Sequence, residues 1–206
     1  MRTIVVPGEK VADEPRQQDE ACFADSHGTF ASVVSLADEG RVIPLKGRYL
    51  PILGDYVIGI IKEMQLTGYI IDLNSPYEAR LSDRDCREEY RIGDVISAKI
   101  SSVNEVHDAG AMEPRAFQGG ELLEVEPVKV PRIIGRNGSM LATIKEYTDT
   151  QLFVGKNGRI YLKDGNTVLA SLAVLKICRE AHIPGLTERM TAFLQEESKK
   201  VKKNEE

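Results

Sequence analysis

Apolar positions in the first fifty residues come in short clusters without helical spacing. Residues 3–6 are β-prone and stop at Pro7-Gly8, and residues 9–20 are polar and charged and read as a loop. Residues 29–37 and 41–45 flank Asp38-Glu39-Gly40, a hairpin connection. Too few residues remain for a large core, so the pattern predicts a small β domain leaning on its neighbour. A clearer period follows. Residues 55–64 are Val- and Ile-rich, and residues 69–73, 77–81 and 95–103 read as further strands, with turn residues between them (Thr67-Gly68, Asn74-Ser75-Pro76, Gly93-Asp94). Short strands at this spacing predict a five-stranded barrel of the oligonucleotide-binding type. Residues 104–120, with Gly110, Pro114, Gly119 and Gly120, read as a mixed linker.

Beyond the linker the period changes. Residues 121–125 form a short strand, and 127–134 lead into Gly135-Arg136-Asn137-Gly138. Met140, Leu141, Ile144 and Tyr147 then recur at helical spacing through 139–148. Strands 151–154 and 159–162 meet across Gly155-Lys156-Asn157-Gly158, where Asn-Gly is a strong hairpin signal because both residues tolerate positive φ. Asn166 is placed to cap a helix over 167–181 that turns Leu169, Leu172, Ala173, Leu175 and Ile177 to a core. Pro184-Gly185 ends it, and a last helix runs from 187 to about 200 around Met190, Phe193 and Leu194. The order is strand, helix, glycine loop, helix, hairpin, helix.

Composition sets the outer bounds. The 206 residues are 42% hydrophobic and 29% charged, a globular balance that accommodates three small domains. No apolar run approaches the roughly 18 residues of a membrane span, and residues 1–10 carry no apolar signal core. A cytoplasmic protein with no membrane contact is expected, and Cys22, Cys86 and Cys178 are expected to be reduced thiols. The net charge of −5 is unevenly spread: residues 1–50 carry −2, residues 51–125 carry −7 and residues 126–206 carry +4. Residues 126–163 hold seven bases against three acids, so a polyanion is drawn to the last third first.

The glycine loop gives that charge a chemistry. Gly135 and Gly138 lack Cβ atoms, so a sugar-phosphate backbone can approach the main chain. The helix starting at Ser139 points free N–H groups and a partial positive charge at the same spot. Arg136 adds a phosphate fork and Arg132 lies one turn before it, with Asn137 between the glycines. Ile133-Ile134-Gly135-Arg136-Asn137-Gly138-Ser139-Met140-Leu141 within this order of elements resembles the KH RNA-binding domain, whose loop clamps about four nucleotides of single strand. The second match, Gly155, Asn157 and Gly158, has no helix behind it and is a structural hairpin packing against the barrel.

Gly54-Asp55 to Gly59, Thr67-Gly68-Tyr69-Ile70-Ile71-Asp72-Leu73 and Gly93-Asp94 resemble the S1-type RNA-binding barrel. Members that stack on bases place aromatics around that glycine, whereas this chain has Thr67 and Ile70 and offers only Tyr69 and Tyr77. Arg80, Arg84, Arg87 and Arg91 offer phosphate contacts, partly neutralised by Asp83, Asp85, Glu88 and Glu89. The whole order, with Val130-Pro131-Arg132-Ile133-Ile134-Gly135, Val154-Gly155-Lys156-Asn157-Gly158-Arg159-Ile160 and Asn74-Ser75-Pro76-Tyr77, resembles the RNA-binding cap subunit of the archaeal exosome, the ribosomal RNA-processing protein four family.

The resemblance implies a mainly β, multidomain chain. It would have an N-terminal β domain (1–49), an S1-type OB-fold domain (50–117) and a type I KH domain with a charged tail (118–206). It further implies a non-catalytic subunit. Three copies would form a trimeric cap on a hexameric ring of RNase PH-like chains, alone or mixed with a zinc-ribbon cap subunit, and would bring single-stranded, adenine-rich RNA to it. No cofactor or metal is expected. There is no Gly-x-Ser-x-Gly elbow and no Gly-Lys-Ser/Thr loop, and Cys178 with His182 is a poor ligand pair. A purely structural scaffold and an S1/KH transcription or translation factor are the alternatives.

Overall fold

The computed structural model describes residues 3–14, 22–38, 41–181, 183 and 185–204. They fall into two compact units, Met1–Arg48 and Tyr49–Glu206. Among the described residues the first unit holds six short strands: β1 (Thr3–Val5), β2 (Lys10–Ala12), β3 (Cys22–Asp25), β4 (Gly28–Ala31), β5 (Ser35–Asp38) and β6 (Arg41–Pro44). They build two antiparallel three-stranded sheets, ordered β1-β5-β6 and β2-β4-β3. The polar stretch expected to be a loop therefore contributes a strand, β2, whose Lys10-Val11-Ala12 backbone pairs with β4. The single strand expected over 29–37 is broken by a bend at Ser32–Val34, which lets β4 and β5 join different sheets.

In the second unit, β7 (Tyr56–Gln65), β8 (Gly68–Asp72), β9 (Glu78–Ser82), β10 (Val95–Val103) and β11 (Ala109–Ala116) close into an OB-like barrel, ordered β10-β11-β9-β8-β7. Alternating side chains of these strands fill its interior, including Val57, Ile61, Ile71, Leu81, Ile96 and Ile100. The stretch expected to be a linker contains the closing strand, β11. Its inward residues are Ala109, Ala111 and Pro114, too small to register as a hydrophobic period. Its register slips between Met112 and Arg115, where Glu113 adopts φ 53°.

The chain then forms β12 (Glu121–Glu124), a five-residue α1 (Val130–Ile134), α2 (Ser139–Thr148), β13 (Gln151–Val154), β14 (Arg159–Lys163), α3 (Thr167–Glu180) and α4 (Leu186–Asn204). The strands make an antiparallel sheet ordered β12-β14-β13. Helices cover one face of it, burying Ile133, Ile144, Leu162, Val174, Ile177 and Leu194. The Asn166 carboxamide accepts from the Leu169 amide at 2.9 Å and caps α3. The buried stripe of α3 is Leu169, Ala170, Ala173, Val174 and Ile177; Leu172 and Leu175, expected in the core, lie on its outer face. Among the described residues no helix is long and apolar enough to cross a membrane.

One turn joins this sheet to the barrel. Asn157, between β13 and β14, is fully buried. Its Nδ2 donates to the Ile58 and Leu73 carbonyls at 2.7 and 2.9 Å, and its Oδ1 accepts from the Ile58 amide at 3.2 Å. The carboxamide thus pairs with β7 as a peptide group of a neighbouring strand would, beside a main-chain bond from the Lys156 amide to the Tyr56 carbonyl. Arg159 follows, 3% exposed, donating to the Asp72 carboxylate and carbonyl and to Glu124 Oε1. Positive φ belongs to Gly158 alone (81°), so Asn157 is required for its amide chemistry and not for its backbone conformation.

Asn157→Ala leaves an N–H and two carbonyls buried and unpaired, at a cost of about 3 kcal/mol. Asn157→Asp keeps the shape but sets a carboxylate against two carbonyl oxygens. Urea unfolding followed by circular dichroism is expected to show both variants with a lowered midpoint. An Asp variant as stable as the parent would show that only shape matters.

Candidate nucleic-acid interface

The glycine loop is built by an abrupt reversal between two helices. α1 ends at Gly135, whose φ 74° and ψ 178° are accessible only to glycine. A tight turn over Arg136–Gly138 follows, with Asn137 at φ 53° and Gly138 at φ 78°, and α2 starts at Ser139. The two glycines serve different purposes. A Cβ on Gly135 would lie 2.8 Å from both the amide nitrogen and the Cβ of Met140, so this glycine lets the chain fold against its own helix. A Cβ on Gly138 would meet nothing within 4 Å, so the space in front of it is open.

The expected row of free amides is only partly present. The Gly135, Gly138 and Ser139 amides donate to the carbonyls of Pro131, Gly135 and Arg136 within the turn. The Arg136 and Asn137 amides make no such bond among the described residues, and no side chain caps α2. Arg132, Arg136, Asn137 and Ser139 are exposed or half-buried. No acid occurs between Glu126 and Glu146, so this turn is a cationic, hydrogen-bond-donating corner. Arg159, counted in the basic excess, faces away from solvent in the joint with the barrel and contributes nothing here.

On the barrel, Arg80 and Arg84 come together at an open groove of about 510 Å³ that Thr67, Gly68, Ser82 and Asp83 also line. Arg80 Nε sits 3.6 Å from Asp108, a weak exposed pairing that leaves most of its fork available. Arg87 is exposed but does not line the groove. Tyr69 is a correction. It is 6% exposed, edge-on to Tyr90 at 5.6 Å, and its hydroxyl accepts from the Tyr90 amide, so it is a barrel-core residue unable to stack on a base. Tyr77 packs against the His107 ring with centroids 4.8 Å apart.

Other chemistry is thinly provided for. Burial pushes the Cys86 thiol up to about 11 and raises Cys178 as well, so neither supplies a thiolate nucleophile near neutral pH. Among the described residues no three His, Cys, Asp or Glu side chains cluster as metal ligands. His182 lies outside the described residues, so its pairing with Cys178 has no geometry to weigh. The hairpin at Gly155, Asn157 and Gly158 packs against the barrel as expected, but the sequence pattern did not reveal the burial of Arg159, nor the aromatic group Phe117, Phe153 and Tyr161 on the sheet face away from the helices. The signal for the last was available: Leu152-Phe153-Val154 and Ile160-Tyr161-Leu162 are continuous apolar runs, the mark of a sheet covered on both faces.

No family model matches the chain. It is similar to the exosome complex component Rrp4 of Pyrococcus abyssi, with 35% identity covering 94% of this chain and 82% of that protein. It is 36% identical to the Methanothermus fervidus Rrp4 over 94% of this chain and 95% of that one. For the Ignisphaera aggregans Rrp4 the identity is 37%, over 97% and 92%. A crystal structure of a candidate exosome complex RNA-binding protein superposes with a TM-score of 0.68 at 34% identity, covering 76% of this chain and 99% of that one.

The two loop glycines separate by substitution. Gly135→Ala is expected to destabilise the fold by about 3 kcal/mol, combining a glycine-only backbone with a clash against α2. Gly138→Ala should cost about 1 kcal/mol, from the left-handed backbone alone. Urea midpoints of the two variants check this, and equal losses would contradict the assignment.

Proposed function

Because the chain belongs to the Rrp4 family of exosome complex components, we propose that it is a non-catalytic subunit that captures single-stranded RNA for degradation by its complex. In this reading the barrel is an S1-type domain over 50–117. Residues 118–206 are a type I KH domain, and residues 1–49 are a β domain that grips the ring. Support for the KH assignment comes from the order strand, helix, glycine turn, helix, hairpin, helix on an antiparallel sheet with its first strand beside its third. Three copies would cap a hexameric ring of RNase PH-like chains, alone or with zinc-ribbon cap subunits, and feed it adenine-rich tails.

The observation that carries the proposal is the corner at residues 132–139: two arginines open to solvent, two amides without main-chain partners, open space at Gly138 and no acid in the sequence between Glu126 and Glu146. A phosphodiester is the ligand such a corner suits, since it offers charge and paired acceptors to arginine forks and main-chain donors. The Arg80–Arg84 groove supplies a second cationic hold on the barrel. Phosphate contacts of this kind give affinity with little base selectivity.

Arg136→Asp with Asn137→Asp is expected to weaken binding of a ten-nucleotide single strand about tenfold, and to reduce the log–log salt slope by about 0.7 for each phosphate no longer neutralised. Assembly with ring subunits should be retained. Unchanged affinity with normal assembly would favour the scaffold reading. Failure of the parent chain to co-purify with ring subunits would favour a free transcription or translation factor. Arg80→Glu with Arg84→Glu should slow RNA degradation by the assembled complex; the purified chain alone should leave RNA intact.

A further inference from the structure

Helix α3 buries one face and, among the described residues, leaves the other open. Val168, Leu172 and Leu175 are 66%, 51% and 38% exposed. With Arg179 they recur at spacings of four, three and four, the seam of a helix that pairs with another helix. The seam lies opposite the buried stripe of Leu169, Ala170, Ala173, Val174 and Ile177. Beside it, between α3 and α4, Leu172, Leu175, Lys176, Arg179, Glu180 and Phe193 line an open groove of about 290 Å³, with room for an incoming leucine side chain.

The two ends of the seam carry opposite charge. At the first turn Glu121 accepts from the Thr167 hydroxyl at 3.3 Å, and Asp164 lies exposed just before the Asn166 cap. Lys163 beside them lines a cleft on the far face of the sheet and does not offset them here. At the last turn Lys176 and Arg189 share the Glu180 carboxylate, at 3.8 and 3.2 Å, while Arg179 is exposed and joins no ion pair among the described residues. Charges of this polarity also suit the helix dipole, but the dipole gives no reason for three apolar side chains to face water between them. A second copy of the chain laid antiparallel answers both features. With a two-fold axis between Leu172 and Leu175, Leu172 of each copy meets Leu175 of the other. Arg179 of each copy then comes to Val168 and the Asp164 end of the other.

We propose that the outer face of α3 is a self-association surface, on which two copies of the chain pair antiparallel about a two-fold axis. From Val168 to Arg179 the seam is about 16 Å long, which makes the contact one of the small, transient class below about 1,200 Å². Such a pairing is isologous and uses up its patch in the pair, so it cannot close a ring of three. In the three-copy cap proposed above it ties one assembly to another. The inference stands on residues that take no part in the glycine turn or the Arg80–Arg84 groove, and it holds or fails independently of RNA capture.

Sedimentation equilibrium of the full chain from about 10 μM to about 1 mM tests it. The weight-average mass is expected to rise from that of one chain toward that of two, and the rise to shrink at high salt. Leu172→Gln/Leu175→Gln keeps helix-forming residues at exposed positions and is expected to stay monomeric throughout, with parental circular dichroism. Charge reversal fixes the direction of the pairing. Arg179→Glu and Asp164→Lys copies are each expected to lose about tenfold in self-association, because like charges meet at both ends, while an equimolar mixture of the two regains parental affinity. A parent that stays monomeric to the top of this range would overturn the inference, and α3 variants that then failed to co-purify with ring subunits would assign the face to the ring. A dimer that survives Leu172→Gln/Leu175→Gln would overturn it as well, as would a mixture of the charge variants that associates no better than its components.

Discussion

A single carboxamide and the guanidinium two residues after it hold the second unit together. Asn157 offers β7 and the end of β8 the donor and acceptor that a further strand would have offered, and Arg159 closes the gap beside it on Asp72 and Glu124. Buried main-chain groups must find partners, and at this joint the Ile58 amide and the Ile58 and Leu73 carbonyls find theirs in one side chain of the right shape and polarity. The consequence is geometric. The barrel groove and the glycine turn belong to one compact unit.

The joint also alters the electrostatics. The middle of the chain carries −7, which taken alone would repel RNA. Asp72 and Glu124 are turned toward Arg159, and Glu78 pairs with Lys62. Arg80 and Arg84 are left on a groove whose lining includes one acid, Asp83. Local arrangement, more than net charge, decides what a polyanion meets at short range, because screening hides charges beyond about 8–10 Å at cellular salt.

Much of the architecture was legible because backbone chemistry announces it. The β-branched runs of the barrel, the Asn166 cap and the helical spacing after Ser139 each depend on near neighbours, and each stands where the pattern placed it. The misses depend on distant partners. β11 is rich in alanine, with a glycine and a proline, and is a strand only because β10 and β9 pair with it. Tyr69 reads as an exposed aromatic until β9 and Tyr90 close over it, and Arg159 reads as one base of a local excess until Asp72 arrives from 87 residues away. In the glycine turn the motif was visible but the division of labour was not: one glycine serves the fold and the other faces open space.

The central claim is the proposed capture of single-stranded RNA by the second unit, with the corner at residues 132–139 as anchor and the Arg80–Arg84 groove as a second hold. Photo-crosslinking of a 4-thiouridine-containing single strand to the full chain, with peptides mapped by mass spectrometry, tests it most directly. The account predicts cross-links in peptides spanning residues 132–139 and 80–84, fading together as salt rises. Cross-links confined to the first 48 residues, with none at the glycine turn, would contradict it.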